Sequence, residues 1–221
     1  VGSDEVTPRL AEAIAELGYV MNTSRLWAYQ PSAVDDLFAL MKTATSLGEL
    51  SFRQRGIVVT ACASSLGDSY CSLAWGGKLA GATDPETAAS VLLGSDERLD
   101  AAERALAAWA RKVARDPNAT TAADVRTLRD VGFDDRQIFA ITLYVALRIA
   151  FSTGNDAPGV RPDAHLPEAP PRARRVAGPG GRAAKAGARI QAGDQLEQFG
   201  PPVRHPAAEH QRCRRPHERS C

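Results

Sequence analysis

Leu50-Ser-Phe-Arg-Gln-Arg-Gly-Ile-Val-Val-Thr60-Ala-Cys-Ala-Ser-Ser-Leu-Gly-Asp68-Ser-Tyr-Cys71-Ser-Leu-Ala-Trp75 is the stretch on which the fold turns. Ser51 and Gln54 stand at capping-box spacing, where each side chain satisfies an amide that the first helical turn leaves open. Ile57, Val58 and Val59 follow, three β-branched residues that by themselves suit a strand. The box before them and the Ala-rich continuation through Ser65 decide for a helix. Asp68 then caps a second helix running to about Leu79.

The same grammar repeats outward from this pair. Thr7-Pro8 opens a helix striped by Leu10, Ile14 and Leu17. Ser32 is placed to cap the next, with Val34, Leu37, Phe38 and Met41 at helical spacing. Asp84-Pro85 opens another that stops at Gly94, and Leu99 to Val113 is rich in good helix formers. Thr121 to Val131 is shorter and halted by Gly132. Asp134 and Gln137 box the start of a long apolar helix carrying Ile138, Ile141, Leu143, Val145, Leu147, Ile149 and Phe151. Its grease on nearly every side predicts a place in the core or at a subunit interface. No Asn-Gly or Asp-Gly hairpin signal interrupts the series, so the reading is all-α, roughly seven or eight helices over about residues 7–157.

The net charge of +1 conceals two unlike parts. Through Ala157 there are 15 Lys/Arg against 20 Asp/Glu, and from Pro158 onward 12 against 6. The helical domain is assigned to 1–165 and a low-complexity basic tail to 166–221. From Pro171 large apolar residues nearly vanish, and such a stretch cannot bury enough surface to offset the entropy of ordering it. It reads as disordered, either an appendage without selected function or text of the kind an out-of-frame read of GC-rich DNA gives.

The Leu50–Trp75 stretch resembles the heart of the carboxymuconolactone decarboxylase/alkylhydroperoxidase-D-like family. There a capped helix bearing a glutamate leads through a short turn into a helix that starts C-x-x-C-x-x-x-H. Phe133-Asp-Asp-Arg-Gln-Ile-Phe139 and Ala150-Phe-Ser-Thr-Gly-Asn-Asp156 look like that family's closing helix and its Asn-bearing end. The likeness spans most of residues 10–165. It implies an alkylhydroperoxidase-D-like helical bundle, a homo-oligomer (a trimer or a multiple of a helical dimer), and a peroxide-reducing antioxidant oxidoreductase acting on a small hydroperoxide.

In the full motif a thiolate near a helix start attacks peroxide, His and Glu relay protons, and the second cysteine resolves the sulfenic acid. Carried over residue by residue, this sequence keeps Cys71 at the second cysteine position. The first cysteine is Asp68, the histidine is Trp75, and the glutamate position falls on Gly56. A two-cysteine cycle on this motif is impossible. An Asp68 carboxylate also places negative charge beside Cys71, which raises a thiol pKa and opposes the helix dipole.

Two functions therefore stand side by side. One is a peroxidase-like oxidoreductase using Cys71 alone with an external thiol; the other is a catalytically degenerate scaffold or small-molecule binder. Each residue has a plainer alternative: Cys71 as a buried structural thiol, Asp68 as a helix cap, Tyr70 and Trp75 as packing rather than pocket walls. Cys62 reads as core, and whether it pairs with Cys71 depends on a Cα separation that spacing does not give. Trp27 and Trp109 carry no site signal.

Other classes find little support. The four histidines, His165, His205, His210 and His217, all come late, so a His-rich metal site in the body is not expected, and Cys213 among the last three lacks apolar support for a zinc fold. No cofactor motif is present. The basic tail lacks interleaved aromatics, which argues against nucleic acid. No run approaches the roughly 18–20 uninterrupted apolar residues of a membrane span. Absence of a secretory pattern and the irregular cysteine spacing lead to the expectation of a cytoplasmic protein.

Overall fold

Helix starts are set locally, by side chains that meet open amides three residues on. In a computed structural model describing residues 18–164 and 166, Ser51/Gln54, Asp100/Glu103, Thr121/Asp124 and Asp134/Gln137 all close reciprocal capping boxes. Asp68 and Asp84 cap through single carboxylate bonds to the Cys71 and Thr87 amides. Eight α-helices result among the described residues, with no strand: α1 Asn22–Trp27, α2 Pro31–Leu47, α3 Phe52–Leu66, α4 Ser69–Ala82, α5 Pro85–Leu93, α6 Ala101–Arg115, α7 Ala122–Asp130 and α8 Asp135–Asp156. The Thr7–Leu17 helix expectation and the 166–221 tail boundary lie outside the described residues, apart from Leu166 itself.

One cap differs from expectation. Ser32 is already inside α2, whose N-cap is Gln30 with no side-chain bond, because Pro31 takes the first helical position. Proline needs no amide partner and its φ is preset for the helix, so the helix starts two residues early. Gly67 and Gly94 end α3 and α5 in the left-handed region at φ 75° and 77°, a conformation a Cβ would make costly.

The core organises around α3. Every residue from Gly56 through Ala63 is buried, so this helix is enclosed on all sides, and it packs against α4, α5, α6 and α8. α8 lies along α2, α3 and α6. By length and composition it is the one described helix apolar enough to cross a bilayer, yet Ile138, Ile141, Tyr144 and Val145 are buried inside the bundle. Its outer side stays open, with Phe139 at 66% exposure. The all-round-buried helix is thus α3, and small side chains (Gly56, Ala61, Ala63) allow its neighbours to close in. Arg111 of α6 is tied to Asp96 and to the Val91 carbonyl, a buried clasp joining the α5–α6 loop to the bundle.

Candidate functional site

The α3–α4 corner carries the residues of interest. After Gly67 reverses the chain, the Asp68 amide donates to the Ala63 carbonyl at 3.0 Å. The Asp68 Oδ1 accepts from the Cys71 amide at 2.8 Å, while Oδ2 is buried with no partner among the described residues. Asp68 has no exposed surface and Cys71 retains 2%. The thiol therefore sits in the first turn of α4, walled in.

Its neighbour is a cation. Arg148, the single charged residue between Asp135–Arg136 and Asp156 on α8, donates from Nη2 to Cys71 Sγ at 3.3 Å and from Nη1 to Met41 Sδ at 3.8 Å. The guanidinium also lies 5.5 Å from the Trp75 ring centroid and 5.1 Å from that of Phe151. It is 3% exposed, its Nε has no partner, and no described carboxylate forms an ion pair with it. A buried cation satisfied only by two sulfurs and two ring faces is uncommon, since burying charge costs several kcal/mol unless something compensates.

These surroundings pull the thiol in opposite directions. Burial pushes the Cys71 pKa well above its ordinary value, the Arg148 charge pulls it down, and Asp68 pushes it up again. Cys62, also buried, is pushed up to about 12 chiefly by burial. Both are free thiols. The two therefore form no disulfide here.

Trp75 follows Cys71 by one turn and touches the same guanidinium. Lys78 Nζ lies 4.8 Å from the Trp75 centroid, and the Phe52 ring is 6.3 Å away. Burial and the Arg148 charge lower the Lys78 pKa. Gly56 plays a different part. A Cβ there would stand 3.3 Å from Leu79 Cδ1 and 3.5 Å from its Cβ, so Gly56 marks where α3 and α4 approach most tightly.

Tyr70 faces away from this chemistry. Its hydroxyl donates to Asp163 and accepts from Thr23 at 3.3 Å, and Asp163 also accepts from the Asn22 amide at 2.9 Å. The segment after α8 and the start of α1 are thereby clasped over Tyr70. Close by, Trp27 stacks on Phe151 at 5.6 Å and donates to Asn155 Oδ1 at 2.8 Å.

Of the five residues singled out from sequence, Asp68, Cys71 and Trp75 gather at one place. Tyr70 joins a clasp instead, and Gly56 belongs to a packing seam. Sequence reasoning missed Arg148, Met41, Asp163 and the site-side role of Trp27. The lone arginine in an apolar helix was the available signal for the first. Among the described residues no cluster of three or more His, Cys, Asp or Glu side chains is arranged to hold a metal.

The all-helical bundle has an alkylhydroperoxidase-D-like fold. Several solved structures share it, and two illustrate the likeness. One is the alkylhydroperoxidase AhpD core of an uncharacterized peroxidase-related protein from Ralstonia eutropha JMP134, similar at TM-score 0.62 with 22% identity over 77% of this chain and 88% of that one. The other, an uncharacterized peroxidase-related protein from Silicibacter sp. TM1040, is similar at TM-score 0.61 with 23% identity over 72% of this chain and 84% of that one. No protein-family profile and no curated protein matches the sequence.

Proposed function

We propose that this chain is a peroxidase-related member of the carboxymuconolactone decarboxylase/alkylhydroperoxidase-D-like family that works through a single thiol, Cys71, with Arg148 as its charge partner. The observation that carries this reading is the 3.3 Å contact between Arg148 Nη2 and Cys71 Sγ. A guanidinium without a carboxylate favours the thiolate over the thiol, which is the activation that a missing histidine would otherwise supply. The shared fold supports the family assignment, and the Asp68, Trp75 and Gly56 replacements describe a motif reduced to one cysteine.

In this mechanism the Cys71 thiolate attacks the distal peroxide oxygen of ROOH. The S–O bond forms as the O–O bond breaks, and the alkoxide leaves as ROH after taking a proton from water. The sulfenic acid is then reduced by a low-molecular-weight thiol, giving a mixed disulfide and water. A second such thiol regenerates Cys71 and releases the symmetrical disulfide.

A second reading, a non-catalytic small-molecule binder or scaffold, is favoured by the burial of Cys71 and the upward push on its pKa. Exposing the full-length chain to cumene hydroperoxide with a sulfenic-acid trap, and locating the adduct by peptide mass spectrometry, separates the two. A peroxide-dependent adduct on Cys71 supports the peroxidase. Its absence at a hundredfold excess of peroxide supports the binder.

Self-association belongs to both readings. Phe139 and Leu40 are 66% and 50% exposed, large apolar side chains left open on a single protomer. Sedimentation at micromolar concentration is expected to give a trimer or a multiple of a dimer; a species of 23.5 kDa alone refutes it.

A further inference from the structure

Three cations of this acidic helical domain lie on one aromatic pair. Phe52 and Trp75 sit with ring centroids 6.3 Å apart. The Arg55 guanidinium is 5.5 Å from the Phe52 centroid, Lys78 Nζ is 4.8 Å from Trp75, and the Arg148 guanidinium is 5.5 Å from Trp75. None of the three forms an ion pair with a described residue, and of the described cations without one, these are the three that share one aromatic pair. Carboxylates are not scarce: residues through Ala157 hold 20 Asp/Glu for 15 Lys/Arg. The Nε atoms of both Arg55 and Arg148 are buried and lack partners.

Gathering like charges is unfavourable by itself, and withholding counter-charges from them adds to the cost. Ring faces recover only part of it, about 0.5–2 kcal/mol per contact. An arrangement of this kind is completed by an anion from outside. The patch is reachable: Phe52 and Lys78 are exposed and Trp75 and Arg55 half-buried, with the buried Arg148 behind them. Its apolar floor also excludes the most strongly hydrated ions as the best fit, because rings offer them no hydrogen bonds.

We propose that Phe52, Arg55, Trp75, Lys78 and Arg148 form a subsite for a small organic carboxylate, its charge held by the cations and its flat or apolar body lying on the rings. The inference rests on the single-thiol reading only in making that acid the carrier of the hydroperoxide, so that the protein selects anionic organic peroxides over neutral ones. Arg55 and Lys78 are then specificity-determining residues rather than parts of the thiol chemistry.

Titration calorimetry of the full-length chain with benzoate, and with neutral benzamide as the isosteric control, tests the binding directly. Benzoate is expected to bind at least tenfold more tightly than benzamide and to weaken as salt is raised from about 20 to 300 mM. Lys78→Ala and Arg55→Ala, at positions open enough to keep the fold, are each expected to weaken benzoate roughly fivefold, the loss of one cation at about 4 Å in a watery setting. Equal binding of benzoate and benzamide overturns the proposal, as does wild-type affinity in both variants. Because benzoate carries no peroxide, the result stands apart from the sulfenic-acid experiment. Benzoate binding without Cys71 oxidation sinks the peroxidase reading alone, and oxidation by a neutral hydroperoxide without benzoate binding sinks only this one.

Discussion

Arg148→Met separates the electrostatic role of the guanidinium from its packing role. Methionine roughly fills the site and keeps contact with Trp75 and Phe151, but the charge 3.3 Å from the sulfur is gone. With charge centres about 4 Å apart and an effective dielectric of about 20, a thiolate and a guanidinium attract by about 4 kcal/mol. That is about three pKa units. The thiol is already raised by burial, so removing Arg148 raises it further and cuts the thiolate fraction at every pH below the new value. Alkylation by iodoacetamide at pH 8, followed by peptide mass spectrometry so that Cys62, Cys213 and Cys221 are counted apart, is expected to slow at Cys71 by at least tenfold. Arg148→Lys retains charge and should recover much of that rate. Stability should move by less than about 2 kcal/mol, because losing two cation–π contacts is offset by no longer burying a cation without a carboxylate. A Cys71 rate within twofold of wild type in Arg148→Met would falsify the activator role. A chain that unfolds in Arg148→Met but not in Arg148→Lys would show the cation to be structural.

Asp163→Ala removes the acceptor that serves both the Asn22 amide and the Tyr70 hydroxyl; a loss of about 2–3 kcal/mol in urea unfolding is expected, with faster Cys71 alkylation as the clasp loosens, and unchanged stability would contradict the clasp. Asp96→Ala leaves the buried Arg111 without its carboxylate, so about 3–5 kcal/mol should be lost, and a smaller effect than Asp163→Ala would mean Arg111 finds another partner. Asp156 is raised to about 7, first by burial and then by the Asp68 charge. The folded state therefore holds a proton that the unfolded chain releases near pH 4, and stability falls as pH rises from about 4 to 7 and is level above it. Its half-exposed carboxyl is screened by water, which leaves about 1 kcal/mol of that slope, and Asp156→Asn should remove it in a denaturation series across that window.

What could be read in advance was what is local. Capping boxes join residues three apart, so Ser51/Gln54 and Asp134/Gln137 announce helix starts within one turn, whereas the boxes at Asp100/Glu103 and Thr121/Asp124 emerge only in the structure. Asp68 as a cap follows from the same logic. The site's partners lie at other scales: Arg148 and Cys71 are 77 residues apart, Tyr70 and Asp163 are 93, and Asn22 and Asp163 are 141. No periodicity reports such pairs, because they depend on how helices cross. Burial of α3 was hidden for a related reason. Gly56, Thr60 and Cys62 dilute its apparent hydrophobicity, yet small side chains are what lets four neighbours surround it.

On the proposed family reading, the residues at positions 56, 68 and 75 are physically linked rather than independent. A glutamate at Gly56 needs room where Leu79 now stands, 3.3 Å from the would-be Cβ, and Leu79 is itself fully buried. A Cβ at that seam already asks the Leu79 side chain to give by a few tenths of an ångström, and a longer side chain asks for more. With a histidine absent at Trp75, the ring there is free to serve as a face for the Arg148 and Lys78 cations. Aspartate at position 68 caps α4 by accepting from the Cys71 amide. On the proposed single-thiol reading, the net effect is to exchange a mobile proton carrier for a buried guanidinium beside the thiol. On that reading the site tunes a thiolate by static charge and moves no proton of its own, so leaving-group protonation falls to water or to the substrate. If both proposals hold, an acid-bearing hydroperoxide suits that arrangement, its carboxylate on the cations and its peroxide held toward Cys71.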